Sequence, residues 1–398
     1  MNNVLIFTTY YNSVNYGGLL QAYALQKYLV TLGYNVKDVC YKTEYNIIQE
    51  RKYSTIEKIK MNYYDQNIYE AIRITFKLAK RIILKKKYET EYLHNCGVRN
   101  NLLRQFRNSS IAHTQDVYDD TNVQQLKDEA DIFIVGSDLV WLLGNSESLP
   151  TGYWLTFVHN KKKIAYAASM PMKSLSQNQI KKIESALMDF RAISLRERMG
   201  VDLLKKNVST PCTPQQVLDP VFLLEVKEWD DFSGNSESNI PYIFTYFLGD
   251  SKKNRKFAAR ISKSRNMEII NLAHVSRFCE TDIGFGKSIT EVSPQDFVRL
   301  IKNAEIVITD SFHGAAFSVI FKKEFYVVDR FDGKGNNQLN ERIINLLGLI
   351  GRRDLYINGK ISEMLTQYNY AQNDDKYNYS DLLKVIEHSK SFLKEAFS

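Results

Sequence analysis

The sequence predicts an α/β protein made of two Rossmann-like domains that face a cleft, and three observations carry this. First, "NVLIFTTYY", the turn "NSVNYGG", "LLQAYALQKYLVTL" and "YNVKDVCY" read as strand, turn, helix and strand, with Gly33 stopping the helix. Such a βαβ unit implies a parallel sheet. Second, the same rhythm restarts at "YIFTYFLGD", after the polar stretch 230–241. Third, 398 residues exceed what one hydrophobic core usually supports.

The remaining elements follow in order. "ADIFIVGSD" (130–138) reads as a buried strand ending in a Gly-Ser-Asp turn, and "KIAYAAS" (163–169) as another, followed by helix "SQNQIKKIESALMDF". "AISLRERMG" (192–200) is a strand expected to deliver Arg196 and Arg198 at its end, and "QQVLDPVFLL" closes this half. In the second half, helix "KKNRKFAARISKS" leads to strand "MEIINLA", and helix "SPQDFVRLIKNA" has Ser293 as N-cap with Pro294 behind it. Strand "EIVIT", the run "DSFHG", helix "AAFSVIF" and strand "EFYVVDR" complete that half, and the last 45 residues read as helical. The predicted domains are 1–235, with an inserted basic helical region at 51–110, then 236–352, then a helical tail at 353–398.

Composition narrows the function classes. Hydrophobic residues at 44% and charged residues at 25% describe an ordinary globular chain, not a disordered one. The four cysteines are scattered without a CxxC pair, which argues against a zinc site or a disulfide framework and for a reducing compartment. "MNNVLIFTTYY" lacks the basic region of a signal peptide, and no apolar run is long enough to span a bilayer, so a cytoplasmic protein is expected. The net charge of +8 sits in one segment: residues 51–110 hold 14 Lys/Arg against 5 Asp/Glu, so the rest sums to −1 and broad nucleic-acid binding is not expected. Within it, 69–87 puts Ile72, Phe76, Ala79 and Ile83 on one helical face. That face either packs on the core or rests on anionic lipid, at the inner face of a membrane.

In doubly wound sheets ligands bind beyond the carboxyl ends of the strands. Those ends carry Asn15–Gly18, Gly136–Asp138, Arg196 and Arg198, Asp310–His313, and Arg330. "NYGG" lacks both GxGxxG and the P-loop GK[ST], so it reads either as a plain turn or as an anion or hydroxyl site at a helix N-terminus. Arg196 either pairs with adjacent Glu197 or meets a carboxylate or phosphate. His313 sits at a strand end, before a small-residue helix, where a reagent is more plausible than a bystander.

In order along the chain, "NSVNYGGLLQAYALQKYL", "DIFIVGSDLVW", "KIAYAAS", "ISLRERMG", "VLDPVFLL", "PYIFTYFLG", "NAEIVITDSFHGAAFSVIFKKEF" and "ERIINLLGLIGR" resemble the polysaccharide pyruvyl transferases. The resemblance implies a GT-B-like fold and transfer of pyruvate from phosphoenolpyruvate onto two hydroxyls of a sugar, giving a ketal and phosphate. The acceptor would be a surface or capsular polysaccharide or its lipid-linked oligosaccharide precursor, with phosphoenolpyruvate as donor and no cofactor; the sequence itself shows no cluster of metal ligands, so metal independence is expected. By similarity, His313 is the general acid/base, Arg196 grips the donor, and Asp138 is a base or a partner of the acceptor hydroxyl. Ser311, Phe312, Gly314, Arg330 and Arg342 would complete the donor site in the C-terminal domain. Asn15, Tyr16, Gly17, Gly18, Gln21, Ser137 and Trp141 would line the acceptor side in the N-terminal one. Three positions depart from the family pattern: Ser311 stands where related branches carry arginine, Leu139 where glutamine is common, and Leu142 where a polar residue is usual. Two other readings compete. A nucleotide-sugar glycosyltransferase of the same fold would want a base-and-ribose pocket with a strand-end glutamate, for which the C-terminal half offers no clear candidate. A non-enzymatic membrane-surface protein would rest on the 51–110 patch.

Overall fold

Apolar runs at 4–7, 132–135 and 306–308 form strands buried along their whole length, as expected where helices cover both faces of a parallel sheet. The computed structural model describes residues 2–43, 76, 79–80, 82–143, 148–235, 240–274, 276–330, 338–372 and 377–398. Nearly half of the predicted basic helical insertion (51–75, 77, 78 and 81), including Ile72, lies outside them.

The N-terminal domain runs β1 (Asn3–Phe7), α1 (Tyr16–Thr31), β2 (Asn35–Tyr41), α2 (Glu89–Ser110), β3 (His113–Tyr118), β4 (Ile132–Val135), α3 (Thr151–Trp154), β5 (Lys162–Ala168), α4 (Gln177–Leu187), β6 (Phe190–Leu195), α5 (Arg198–Asn207), β7 (Gln215–Gln216) and α6 (Val226–Ser233). The C-terminal domain runs β8 (Tyr242–Tyr246), α7 (Lys252–Arg265), β9 (Glu268–Leu272), β10 (Lys287–Ile289), α8 (Pro294–Asn303), β11 (Ile306–Thr309), α9 (Phe312–Ile320), β12 (Glu324–Val328), α10 (Gln338–Leu349), β13 (Tyr356–Ile357) and α11 (Ile361–Gln372), and a last helix, α12 (Ser380–Phe397), follows it. The sheet orders are β3-β2-β1-β4-β5-β6-β7 and β10-β9-β8-β11-β12-β13, and every pairing is parallel. Each order reverses once, between β1 and β4 in one sheet and between β8 and β11 in the other. A crevice opens at such a reversal, and that is where doubly wound proteins bind ligands.

Three contacts hold the domains in register. Tyr16, first in α1, stacks on Phe297 of α8 at 4.7 Å between ring centres and donates its hydroxyl to Val292 O at 2.8 Å. Arg99 of α2 reaches across and donates to the carbonyls of Ala273, Thr290 and Ile289 at 2.7, 2.8 and 3.2 Å. The terminal helix α12 returns to the N-terminal domain, where Lys162 donates to Phe397 O at 2.7 Å and Leu218 N to Ser389 Oγ at 3.0 Å. The predicted tail is therefore not one unit. Its first residues supply β13 to the C-terminal sheet, beyond the expected limit at 352, while α12 packs on the other domain.

Candidate active site

The site assembles where the two reversals meet. On the C-terminal side, Asp310 ends β11 and accepts from Leu248 N at 2.6 Å and Gly249 N at 2.8 Å, so it ties the β8 loop to β11. Ser311 then caps α9, its hydroxyl accepting from Gly314 N at 3.3 Å. Its side chain is spent on the helix start, an N-cap use for which serine is among the preferred residues. Phe312 and His313 follow in the first turn, both buried.

On the N-terminal side, Asn15 caps α1 by accepting from Gly17 N at 3.0 Å. A side chain at 17 is impossible with the present geometry, because a Cβ there would lie 1.9 Å from His313 Nδ1. Glycine at this turn lets the imidazole of one domain rest on the backbone of the other. Gly17→Ala should therefore displace His313 and lower kcat at least about 100-fold, as a misplacement near 1 Å commonly does. Steady-state kinetics beside a melting curve checks this; full activity would mean that the contact is not maintained in the working enzyme.

The Gly-Ser-Asp turn after β4 is equally tight. Gly136 has φ +112°, and a Cβ there would meet Tyr166 O at 2.1 Å. Asp138 adopts a left-handed φ of +67°, which aspartate tolerates better than most residues. Gln21 braces the turn: its Oε1 accepts from Ser137 N at 3.2 Å, and its Nε2 donates to Thr8 Oγ1 at 2.7 Å and to Gly18 O at 2.9 Å. Ser137 Oγ donates to Ala167 O at 2.9 Å. Gln21 and Ser137, expected on the acceptor side, thus hold the turn that presents Asp138.

Arg196, at the end of β6, meets three carboxylates. Nη1 donates to Asp219 at 2.6 Å, Nη2 to Asp138 at 3.2 Å and Nε to Glu197 at 3.3 Å. Of the two readings of Arg196, the structure shows the ion pair with Glu197 and extends it to Asp219 and Asp138, so three of its five N–H groups are engaged within the protein. Asp219 also accepts from Val221 N at 3.1 Å, and its Oδ2 stands 3.5 Å from His313 Nε2, an ion contact longer than a good hydrogen bond. Glu197 is held in turn by Ser169 Oγ at 2.5 Å and Met170 N at 3.2 Å. The Phe312 ring lies between two cations, with Arg196 at 4.8 Å and Arg342 at 5.5 Å from its centre.

These charges set one another. Burial pushes the Asp138 carboxyl upward, but Arg196, Arg342 and His313 outweigh it and hold it below the usual carboxylate range. Burial likewise opposes Asp219, yet His313 and Arg196 drive it far below that range. Arg342 is the underspent member. Its nearest carboxylate oxygen is Asp138 Oδ1 at 3.7 Å, which Arg196 shares, and its buried Nε has no partner among the described residues. Burial and the neighbouring Arg196 pull its guanidinium down to about 10, so an arriving anion would relieve it.

Among the expected residues, the structure brings together His313, Asp138, Arg196, Phe312, Arg342 and Gly17, with Gly18, Gln21, Ser137, Ser311 and Gly314 supporting them. Arg330 stands at the margin, donating from Nη2 to Asp310 O at 2.9 Å. Three residues sit differently. Trp141 is fully buried, stacked on Trp154 at 4.8 Å with Nε1 donating to Tyr153 O, so it packs the core and offers no face to a sugar. Tyr16 is a buried anchor between the domains. Arg198 opens α5 and points to solvent, paired with Asp202 at 3.0 Å, because the chain turns into a helix one residue earlier than the strand reading required. Asp219 is the residue sequence reasoning missed. It lies in "VLDPVF", where an Asp-Pro pair signals a cap, and indeed it caps the following turn. Its second role depends on a neighbour 94 positions away in the chain.

Among the described residues, one cluster away from this site has metal-ligand chemistry: His274, Cys279 and Asp282 present ligand atoms within 4.8 Å of one another. Arg255 already occupies it, donating to Asp282 at 2.6 Å and to Cys279 Sγ at 3.7 Å, so the negative charge is matched by a resident cation. Burial depresses the His274 imidazole, but Asp282 and Cys279 outweigh it and raise it to about 9. A folded value above the unfolded one near 6.5 stabilises fully below that pH and is lost as pH rises through about 9. Urea unfolding should show stability lost between about pH 6 and roughly pH 10, offset in part by the Cys279 thiol, which burial raises but His274 holds below its ordinary value, and which gains stability as pH rises. His274→Asn should flatten that loss, and an unchanged slope would contradict the assignment.

Comparison with known proteins places this geometry. No curated protein matches the chain. Among solved structures, an S. aureus MnaA–UDP co-structure matches with a TM-score of 0.52 at 10% identity, over 99% of this chain and 97% of that one. The UDP-GlcNAc 2-epimerase from Methanocaldococcus jannaschii matches with a TM-score of 0.51 at 10% identity, over 98% and 100%. At such identity the likeness speaks for the fold, two parallel-sheet domains of GT-B type. The family described as polysaccharide pyruvyl transferase matches residues 15–333, which take in both helix N-termini and every site residue above except Arg342. This chain belongs to the polysaccharide pyruvyl transferase family.

Proposed function

We propose that the protein transfers pyruvate from phosphoenolpyruvate to two hydroxyls of a sugar in a surface polysaccharide or its lipid-linked precursor. The observation that carries this reading is the meeting of His313, Asp219 and the underspent Arg342 at the facing sheet reversals. Phosphoenolpyruvate brings a carboxylate and a phosphate, and a buried guanidinium short of counter-charge suits either one.

The chemistry balances with protein groups alone. Forming the ketal makes two C–O bonds at the donor's central carbon and breaks its bond to the phosphate oxygen. Two hydroxyl protons leave the sugar; one ends on the vinyl carbon, which becomes a methyl, and the other on released phosphate. Imidazole is the side chain suited to move protons between such groups near neutrality. His313 therefore serves as the acid/base, and the Asp219 carboxylate, 3.5 Å from Nε2, stabilises the ring when it is protonated. A carboxylate held low, as Asp138 is, makes a weak base; its role is to accept a hydrogen bond from a sugar hydroxyl and to anchor both arginines.

Arg342→Ala should raise KM for phosphoenolpyruvate roughly 10- to 100-fold, the worth of one or two hydrogen bonds to a charged group. Melting temperature should change little, since a poorly paired buried cation is lost. An unchanged KM would remove Arg342 from the donor site. The reading as a whole is tested by phosphate release from phosphoenolpyruvate with lipid-linked oligosaccharides as acceptors. Acceptor-dependent release supports it, and release without any acceptor-dependence, or none at all, counts against it.

A further inference from the structure

The helical residues described ahead of α2, together with the first half of α2, are amphipathic in an inverted sense. The side that meets the protein is largely polar, with Tyr92 packed edge-on against Phe278 as its aromatic contact. Lys80 Nζ pairs with Glu280 at 3.1 Å, Thr290 Oγ1 donates to Asn95 Oδ1 at 3.3 Å, and Arg99 is buried on its three carbonyls. Apolar side chains instead face water: Phe76 is 76% exposed, Ile83 67%, Leu93 60% and Ile82 50%. Phe76, Ala79 and Ile83 do share one face, as their spacing predicts, but that face is turned away from the core. Residues 76–87 carry six Lys or Arg and no carboxylate, and Lys80, Lys85, Lys86 and Lys87 are all exposed.

We propose that this surface docks on anionic lipid. Isolated exposed apolar residues need no explanation, but aromatic and aliphatic side chains set among cations on one helix match a bilayer interface. The cations meet anionic headgroups and the apolar chains enter the acyl boundary. A nucleic acid would reward the lysines and leave Phe76, Ile82 and Ile83 in water, so lipid is favoured. The inference is independent of the proposed reaction, because its readout is binding. It assigns the partner as the headgroup surface of a membrane, where a lipid-linked acceptor would also be found.

The test is co-sedimentation of the full chain with vesicles of phosphatidylglycerol mixed with phosphatidylcholine, against phosphatidylcholine alone. Binding is expected only to the anionic vesicles. Replacing Lys85, Lys86 and Lys87 with glutamine should weaken it on the order of 100-fold. The double substitution Phe76→Asp and Ile83→Asp should weaken it roughly tenfold or more, with an unchanged melting curve. Absence of binding, equal binding to neutral vesicles, or full binding by the aspartate variant would each overturn the proposal. So would concentration-dependent self-association that the aspartate variant abolishes, which would make a second copy of the chain the occupant, or tighter retention on a nucleic-acid duplex.

Discussion

Replacing His313 with glutamine should lower kcat for pyruvyl transfer by about 10²- to 10⁴-fold, the range general acid–base groups contribute. The KM for phosphoenolpyruvate should move by less than about threefold, because the proposed reading gives the anion to guanidinium and not to the imidazole. Glutamine is the informative change. It fills most of the space over Gly17 and can still donate toward Asp219, so the packing survives while the proton carrier is gone. A structural role for His313 would show instead as a lower melting temperature with kcat retained in the folded fraction. Steady-state kinetics and a thermal melt on one preparation separate the two outcomes.

Arg196→Ala should be the most damaging single change to the fold near the site. Its guanidinium is buried among Asp138, Glu197 and Asp219. Removing it leaves three buried carboxylates without their common cation, and breaking one side of a buried ion pair typically costs about 3–5 kcal/mol. The pH dependence follows from Asp138 and Asp219, both held below their ordinary value. A depressed carboxyl contributes stability that is complete above its unfolded pKa, near 4, and is lost as pH falls through the lower folded value. The gap between wild type and variant in urea unfolding should therefore be full at pH 7 and narrow below about pH 4. A gap under about 1 kcal/mol at pH 7 would mean that the carboxylates find other partners. Donor affinity should also fall, since Arg196 positions Phe312 and shares Asp138 with Arg342. The contrast with Arg342→Ala is instructive: Arg196 is spent on protein carboxylates, while the proposed function assigns Arg342 to the donor.

Much of this arrangement could be read from the chain, and the reasons are physical. Continuous apolar runs gave β1, β4, β8, β11 and β12, because strands covered on both faces leave no polar alternation to confuse the pattern. Capping chemistry placed α8, whose Ser293 cap and Pro294 are both present. The strands that escaped were β3, β7, β10 and β13, which lie toward or at sheet edges and are short or polar. Strand ends located the site, since the topology itself brings them to one edge. Roles within the site were less legible. A turn tryptophan such as Trp141 looks like a sugar platform until its neighbours are known. Ser311 looks like a missing arginine until its hydroxyl is seen capping α9. Asp219 could not be paired with His313 from spacing, because the contact joins two domains. The insertion stayed open between core and lipid for the opposite reason: periodicity finds a face but not the side of the molecule it occupies.

The central claim is that these converging groups build a pyruvate ketal from phosphoenolpyruvate, and isotope transfer tests it most directly. Phosphoenolpyruvate labelled with ¹³C at its central carbon would be incubated with the enzyme and an oligosaccharide acceptor, and the product examined by NMR. The account predicts that the label appears in a quaternary carbon bearing a methyl, a carboxylate and two sugar oxygens, and that the His313→Gln variant forms almost none. Label recovered only as phosphoenolpyruvate or free pyruvate, or equal ketal formation by the variant, would contradict it.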